Sequence, residues 1–337
     1  MSYSGRDVEI SIVKETTKGE TPSSNLKPLR YVSASLQGNN EMVTSETVNK
    51  RRAIIDRRRV GLGASGSIET EFFYSALDNL LESTFFNDFA AFTKTVEVTA
   101  VATGNKINRA TGSFLTDGFK KGQVVRVAGF ITSGNNGIAV ITNVTKTDLT
   151  IANITLVNET VASVTFSCSQ LINGNVQKSL SIEEKIGSEF RSFLGMIVNN
   201  ASINVPTRDR VTCSFDFLGY SFDSPSSSIG TGYEAENTDK MIDSSNNFPK
   251  CYIDGVAKAF TELNFSIANN LREQTAVGSQ ALVGIGDGLM DINVEAGIYF
   301  EDNTEYEKFI NNTEFQMTAL FQDGDNNIIA ISLPRAK

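Results

Sequence analysis

One local pattern occurs twice in this chain, about 230 residues apart. Each copy has a strand-like run that ends in Asn-Asn, a long polar loop, a strand containing one glycine, and a short helical run. The matching positions are Asn40 and Asn270, Gly66 and Gly297, and Tyr74 and Tyr306. Their offsets are 230, 231 and 232 residues. Repeated units of this kind usually cannot bury their apolar faces alone and stack on neighbours, so the repeat indicates an assembly protein.

The sequence predicts a mainly β fold. Short runs alternate apolar and polar residues between turn-forming Gly, Asn, Asp and Ser, as in residues 8–13 and 211–218. Residues 315–320 and 328–333 form a predicted hairpin, because the Asp-Gly and Asn-rich stretch between them supplies a tight turn.

Helical periodicity is scarce. The best candidate covers residues 73–84, where Leu77, Leu80 and Leu81 share one stripe. Residues 304–310 are its shorter counterpart in the second copy, and the Thr304 hydroxyl is a candidate helix cap.

The 337 residues predict two or three compact units. Between residues 93 and 168, Val and Thr become dense and charge becomes sparse, which predicts a small inserted β-barrel or Ig-like domain. The Ser- and Gly-rich residues 223–232 are typical of a flexible link. The predicted boundaries are a first half at 1–92 and 169–222, the insert at 93–168, a linker at 223–239 and a second half at 240–337.

Composition excludes several classes of function. Acidic residues outnumber basic ones by 39 to 30, which does not suit a nucleic-acid clamp. With no histidine, Ser-His-Asp and Cys-His nucleophile systems and histidine-ligated zinc are excluded. The three cysteines lack a CxxC spacing, so no metal, disulfide or cofactor is expected. No apolar run of membrane-spanning length and no secretory leader is evident, so we expect synthesis in a cytoplasm.

Three glycine- or acid-rich motifs resemble ligand sites. Residues 61–66 spell GxGxxG, but a strand follows where a nucleotide site needs a helix, which favours a strand whose glycines allow a bulge or close backbone contact. Residues 284–288 lack the Lys-Ser/Thr of a phosphate loop. Asp323, Asp325 and Asn327 alternate as in a calcium loop, but no twelfth-position Glu follows, so a hairpin turn is favoured.

The strongest charge feature is a basic segment within a predicted long loop, residues 38–60. Its candidate contact residues are Lys50, Arg51, Arg52, Ile54, Ile55, Arg57, Arg58 and Arg59. Three interpretations remain open: an arm that docks on another subunit, a nucleic-acid contact, and a solvated loop. Docking is favoured because the loop is long for a passive connection and contains apolar residues that need a cover. The second copy has a less basic arm, residues 271–286, with Arg272 and Glu273 as candidates.

The order of these segments resembles the major tail tube proteins of long-tailed, siphophage-type bacteriophages. The first copy contributes DRRRVG at 56–61 and ASGSIETE at 64–71 before the short helix. The second contributes FSIANN at 265–270, AGIYFED at 296–302 and ISLP at 331–334. Residues 121–137 of the insert are similar to an accessory domain of some members. The resemblance covers nearly the whole chain and implies a duplicated tube fold.

The resemblance implies a structural virion protein with no catalysis. Subunits form stacked rings whose sheets join into one barrel, the helix packs outside it, and the arm reaches an adjacent subunit or ring. The lumen holds the tape-measure protein and passes DNA at ejection, and Glu69, Glu71 and Asp216 are candidate lumen residues. Tail terminator and distal tail proteins are the other implied partners, with no membrane, in a tail assembled in the host cytoplasm.

The duplication favours a ring of three chains with pseudo-six-fold symmetry, with a true hexamer second. Other functions remain open at this point. One is a tail terminator or baseplate-proximal tube protein of the same fold. Another is a carbohydrate-binding or hydrolytic protein on a β-scaffold, which the absence of tryptophan disfavours. Glu69 and Glu71 share one strand face and so also fit an acid–base pair, although a solvated or channel-facing side is favoured.

Overall fold

The structure is a computed structural model that describes residues 7–47, 50, 54–160, 163–248 and 250–337. These residues form mainly β-structure, as the sequence predicts, with two short α-helices. In chain order the strands are β1 (Val8–Lys14), β2 (Lys27–Leu29), β3 (Ser33–Ala34), β4 (Gln37–Thr44), β5 (Arg57–Glu71), β6 (Ala90–Val96), β7 (Thr99–Val101), β8 (Lys106–Asn108), β9 (Val124–Ala128), β10 (Gly137–Val144), β11 (Asp148–Ala152), β12 (Glu159–Thr160), β13 (Val164–Gln170), β14 (Leu180–Ile186), β15 (Glu189–Val205), β16 (Thr212–Gly219), β17 (Ser221–Asp223), β18 (Lys250–Ile253), β19 (Val256–Lys258), β20 (Phe260–Ala268), β21 (Arg272–Gln274), β22 (Gly284–Gly286), β23 (Asp291–Ile298), β24 (Phe315–Gln322) and β25 (Ile328–Ala336). The helices are α1 (Asp78–Phe85) and α2 (Thr304–Ile310), and Ser133–Asn135 form a 3-10 turn.

Six strands form what we call the inner sheet, in the order β4-β5-β16-β15-β20-β23. Every neighbouring pair is antiparallel, and β3 lies beside β5 at the same edge as β4. The sequence of β16 shows why the sheet has two different faces. Cys213, Phe215 and Phe217 are buried on one side, whereas Ser214 and Asp216 alternate with them on the other.

The two halves of the chain repeat one arrangement outside the inner sheet. The first has an outer sheet in the order β2-β1-β14-β15, and the second has β19-β18-β24-β25. Each half also contributes a hairpin, β4-β5 or β20-β23, and a helix after that hairpin. The 17-residue β15 differs from its counterpart β25 because its C-terminal part continues into the inner sheet, where it pairs with β16 and β20.

Residues 90–170 contribute a separate eight-stranded sheet in the order β12-β7-β8-β11-β10-β9-β13-β6. It encloses its own core, in which Phe119 meets Phe92, Phe114 and Phe166 edge-to-face. This sheet also packs on the outer sheet of the second half, where Tyr252 and Leu320 are buried against Val140 and Ala152.

The main core lies between the inner sheet, the outer sheets and α1. The first helix begins at Asp78, later than the predicted residue 73, because residues 74–77 form turns and Ser75 has a positive φ of 55°. The second helix has the predicted limits. The prediction that Thr304 caps it is wrong, since the Asp302 carboxylate accepts the Thr304 amide at 2.8 Å.

The segment 223–232, which the sequence predicted to be a flexible link, is bound to the first half. The buried Glu183 carboxylate accepts the Ile229 amide at 2.7 Å and the Tyr233 hydroxyl at 2.6 Å. Backbone bonds join Thr231 to Ser24 nearby. The expectation of flexibility was therefore wrong, because the carboxylate that holds the segment lies about 45 residues earlier in the chain.

Candidate assembly surfaces

One face of the inner sheet is polar from edge to edge. Three rows of paired residues cross it: Glu71-Thr212-Asn204-Asn264-Glu295, Ser33-Glu69-Ser214-Ser202-Ser266-Asn293, and Ser67-Asp216-Asn200-Ala268-Asp291. Directly paired residues of antiparallel strands project to the same side, so these side chains share one surface. The candidate residues Glu69, Glu71 and Asp216 all lie on it.

This polar face is negatively charged. Its three rows contain five carboxylates and no Lys or Arg. The carboxylates are held by short polar side chains: Ser33 donates to Glu69 at 2.8 Å, and Asn200 donates to Asp216 at 3.3 Å. Arg210 pairs with Glu71 at 3.2 Å from just beyond the end of the rows. A surface of this kind repels phosphate instead of binding it.

The two edges of the inner sheet are open. Among the described residues, β4 pairs with β5 alone and β23 pairs with β20 alone. Both edge strands are largely exposed along their length. Exposed edges leave backbone N–H and C=O groups available for another strand, which is why isolated proteins usually protect them. On β23 the apolar side is also open, since Ile292 and Ala296 are exposed there.

The first arm projects from the β4-β5 hairpin, and its described residues are 45–47, 50 and 54–59. Arg57, Arg58 and Arg59 belong to β5 and pair with Thr44, Val43 and Met42, so the predicted loop of residues 38–60 is shorter than expected. At this end of β5 four successive residues, 57–60, are exposed, so no alternation marks the strand in the sequence. A bulge between Glu41 and Met42 shifts the pairing of β4 with β5 just before the three arginines.

The first arm is exposed. Lys50 and the three arginines face solvent, and Arg58 is paired only locally, with Asp56 at 3.0 Å. Ile54 and Ile55 are 72% and 59% exposed. The predicted contact residues Arg51 and Arg52 lie outside the described residues. This arm therefore combines positive charge with apolar side chains that have no cover in one chain.

The second arm, residues 271–286, is folded onto the first half of the same chain. The Leu62 amide donates to the Gln280 carbonyl at 2.8 Å, and the Ile285 amide donates to the Tyr220 hydroxyl at 3.0 Å. Ile285 is buried with Ile197 and with Phe86, the residue that follows α1. The predicted contact residues Arg272 and Glu273 lie on β21 and are exposed.

The two helices carry the same apolar spacing in different surroundings. In α1 the stripe of Leu77, Leu80 and Leu81 is packed in the main core, where Leu80 is 0% exposed. In α2 the stripe of Tyr306, Phe309 and Ile310 is open, and Phe309 is 80% exposed. Tyr299 and Phe300, between β23 and α2, are exposed as well. The sequence predicted the stripe of the first helix and the residues of the second helix, but not this difference in burial.

Acidic side chains surround the exposed stripe of α2. They are Glu301, Asp302, Glu305 and Glu307. Thr304 donates hydrogen bonds from its side chain and amide to Asp302, which holds the pKa of that carboxyl below its usual value. Burial by itself would lower the pKa of Lys308, but ion pairs with Asp254 at 2.9 Å and Glu305 at 3.1 Å raise it.

The glycine- and acid-rich motifs are structural. Residues 61–66 lie within β5, and Gly66 has a φ of 152°, where a side chain would collide with the Ser35 carbonyl. The interpretation as a close backbone contact is confirmed. Asp323 accepts the amides of Asp325 and Asn327 across the predicted hairpin turn. Residues 284–286 form β22.

The described residues contain no cluster of three or more His, Cys, Asp or Glu side chains placed to hold a metal. Neither of the two helices found there has the length and apolar character needed to cross a membrane.

The fold and its surfaces define a class of subunit whose inner sheet is left open at both edges, with one acidic polar face. A family model described as phage tail tube protein matches residues 5–337. The chain therefore belongs to the phage tail tube protein family, which confirms that part of the predicted resemblance, while the siphophage type stays a prediction. A search of the curated proteins finds no match.

Proposed function

We propose that three copies of this chain close into a ring and that stacked rings form the wall of a tail tube. The observation that carries the proposal is the pair of open edges, β4 and β23, at opposite ends of one antiparallel sheet. Head-to-tail pairing of β23 with β4 of the next copy continues the alternation of strand direction. It also keeps the acidic face of every copy on one side.

Charge favours head-to-tail pairing over a two-fold contact. If two β23 strands paired about Asn293, Asp291 of each would face Glu295 of the other, which is unfavourable. The polar side of β4 carries one carboxylate, Glu41, next to neutral Gln37 and Asn39. A β23–β4 contact therefore brings fewer like charges together.

Strand number is compatible with three chains. Each chain supplies six strands, so three supply eighteen. A barrel of that many strands, spaced about 4.8 Å apart and tilted by about 40°, has a backbone diameter of about 35 Å. Six chains would double this diameter. Of the two ring sizes, three chains therefore give the narrower barrel, and it still encloses a central channel.

In this proposal the acidic face lines the lumen, with Glu69, Glu71 and Asp216 exposed to it. Like charge keeps DNA from adhering as it passes, because phosphate finds no attractive group. The lumen houses the tape-measure protein before ejection, and the tube joins the tail terminator and distal tail proteins at its ends. The chain acts as a structural part of the virion tail, assembled in the host cytoplasm, and not as an enzyme.

The domain organisation follows the same proposal. Residues 1–92 and 169–222 form one copy of the tube fold, residues 240–337 form the other, and residues 93–168 are an accessory domain. The repeated order of the two outer sheets supports two copies. The separate core of the eight-stranded sheet supports the insertion.

Electron microscopy of the purified chain with native mass spectrometry tests this function. We expect rings or tubes and a ring mass of three chains. Ile292→Lys places a charge on the open apolar side of β23 and should abolish rings, because lysine on an edge strand blocks pairing. Val277→Lys, in the exposed tip of the second arm, is the matched control and should assemble normally. A monomer at high concentration, or normal rings from Ile292→Lys, contradicts the proposal.

A further inference from the structure

The chain contains one arm seated near a helix, and that contact suggests where the other arm binds. The second arm places Ile285 and Leu282 in an apolar cluster with Ile197 and Phe86, directly after α1. Gln177 donates to the Ile285 carbonyl at 2.9 Å, which fixes the arm beside the cluster. This contact joins the second half to the first half, its neighbour in the inner sheet through β20 and β15.

The same pair of elements occurs a second time without its contact. The first arm follows β4 as the second arm follows β20, and α2 follows β23 as α1 follows β5. Within the described residues, the apolar side chains of the first arm and of α2 are both exposed. The open helix surface, which we define as Tyr299, Phe300, Tyr306, Phe309 and Ile310, is uncovered among the described residues. In the first half, the stripe of α1 is buried in the main core, and the second arm lies on Phe86 just beyond it.

The two exposed surfaces match in apolar character. Ile54 and Ile55 project from the first arm, as Leu282 and Ile285 do from the second. The open helix surface offers Phe309 and Ile310, the latter 61% exposed. Contact between them would remove apolar area from water on both sides, which is the main driving force for association.

They also match in charge. The first arm presents Arg57, Arg58 and Arg59, of which Arg58 pairs with Asp56 and Arg59 donates to the Gln280 side chain at 3.3 Å. The acids around α2 are Glu301, Asp302, Glu305 and Glu307. Glu301 pairs with Lys258 at 2.9 Å and Glu305 with Lys308 at 3.1 Å, so among the described residues Asp302 and Glu307 are the acids that lack an ion pair. Arginine suits such a surface because it binds carboxylates through two parallel hydrogen bonds and stacks on aromatic rings. Glu307 is exposed on α2 and is therefore accessible to an incoming guanidinium.

We propose that the first arm of one chain docks on the open helix surface of the neighbouring chain in the same ring. This inference rests on the proposed ring assembly and identifies a surface that stabilises each contact between β23 of one chain and β4 of the next. The arm is placed on a chain of the same ring, and not on the next ring, because the second arm also connects two halves that lie side by side in one sheet. Each β23–β4 joint would then gain a contact like the one between the two halves of a chain.

Cysteine cross-linking tests the contact in assembled protein. Cys168 is half-buried, so Cys168→Ser serves as the background, while Cys213 and Cys251 are buried. Ile55→Cys and Ile310→Cys are made as separate variants and mixed before assembly. We expect disulfide-linked dimers from the mixture and none from either variant alone. A variant that carries both cysteines should give covalently closed trimers.

Val277→Cys mixed with Ile310→Cys is the matched control and should give no cross-link, because Val277 lies in the other arm. Rings that form normally without the Ile55–Ile310 cross-link overturn the arm contact while the proposed function stands. If no rings form from the background protein, the proposed function and the arm contact both fail.

Charge-reversal substitutions test the electrostatic part of the contact between the first arm and the open helix surface. Arg57→Glu with Arg59→Glu should lower ring yield about tenfold at low salt. Adding Glu307→Arg should recover part of the yield, whereas Glu97→Arg, at an exposed position between β6 and β7, should recover none. If the reversed arm leaves rings intact and abolishes only their stacking, the arm binds between rings and the inference is wrong.

Discussion

The helices of the two halves have the same apolar spacing and opposite surroundings. Leu80 of α1 is fully buried because the inner sheet continues past it through β16, β15 and β20. In the described chain the sheet stops at β23, and Phe309 of α2 remains exposed. Local sequence is therefore sufficient to make the helix, but its cover depends on which strands come next. The first half has these strands in its own chain, and in the proposed ring the second half meets them in a neighbouring copy.

The outer sheets of the two halves are covered differently as well. The first is covered by residues 223–234, which bind the buried carboxylate of Glu183. The second is covered by the eight-stranded sheet, through the apolar contact of Leu320 and the hydrogen bond from the Tyr252 hydroxyl to Asn153 at 2.7 Å. A duplicated fold thus retains its strand order while each copy acquires its own cover.

The largest expected effect is a difference in monomer stability between substitutions in the two helices. Leu80→Ala removes a fully buried side chain, so it should lower the free energy of unfolding of the monomer by about 2–5 kcal/mol. Phe309→Ala removes an exposed side chain and should change it by less than about 0.5 kcal/mol. Denaturant unfolding of the unassembled protein measures both changes.

Phe309→Ala should instead affect assembly. It should lower the yield of rings although the stability of its monomer stays normal. Equal destabilisation of the monomer by the two substitutions would show that α2 is packed within its own chain. The contrast between the halves would then be lost.

A smaller effect on stability is expected where residues 223–234 cover the outer sheet of the first half. Glu183→Gln keeps the shape but places an amide N–H₂ among the donors from Ser228, Ile229 and Tyr233. It should cost about 1–3 kcal/mol, since a buried donor is left without a partner. Residues 223–234 should also become cleavable by protease.

Glu184→Gln is the control for that substitution, because Glu184 forms an ion pair with the more exposed Arg191 instead. It should leave proteolysis unchanged. Equal protease resistance in Glu183→Gln would show that the carboxylate does not hold the segment.

The smallest effect concerns pH in the second half. Burial alone would raise the pKa of Asp254, but the hydrogen bond from the Gln316 amide and the ion pair with Lys308 lower it below its usual value. A depressed carboxyl pKa contributes stability that is present above the unfolded value and is lost as pH falls through the folded value. The protection of amides near Asp254, measured relative to their intrinsic exchange rate, should therefore decrease below about pH 4. In Asp254→Asn this acid-induced loss of protection should be smaller, and an unchanged pH profile would contradict the assignment.

The sequence was sufficient where local patterns decide the structure. Alternation predicted β16 and the β24-β25 hairpin, and the limits of α2 were correct. The polar face was predicted in part, because Glu69, Glu71 and Asp216 follow from strand parity. The rest depended on long-range contacts that no local pattern contains: the strand pairing of Arg57–Arg59, the binding of residues 223–232 to Glu183, and the docking of the second arm.

The central claim, that sister chains complete the inner sheet, is tested most directly by amide hydrogen exchange in β4 and β23. Each strand has one side without a partner strand in the described chain, so part of its amides should exchange quickly in the monomer. On tube formation we expect strong protection in both strands, with little change in the central β15 and β16. Fast exchange in β4 and β23 within intact tubes would contradict the account.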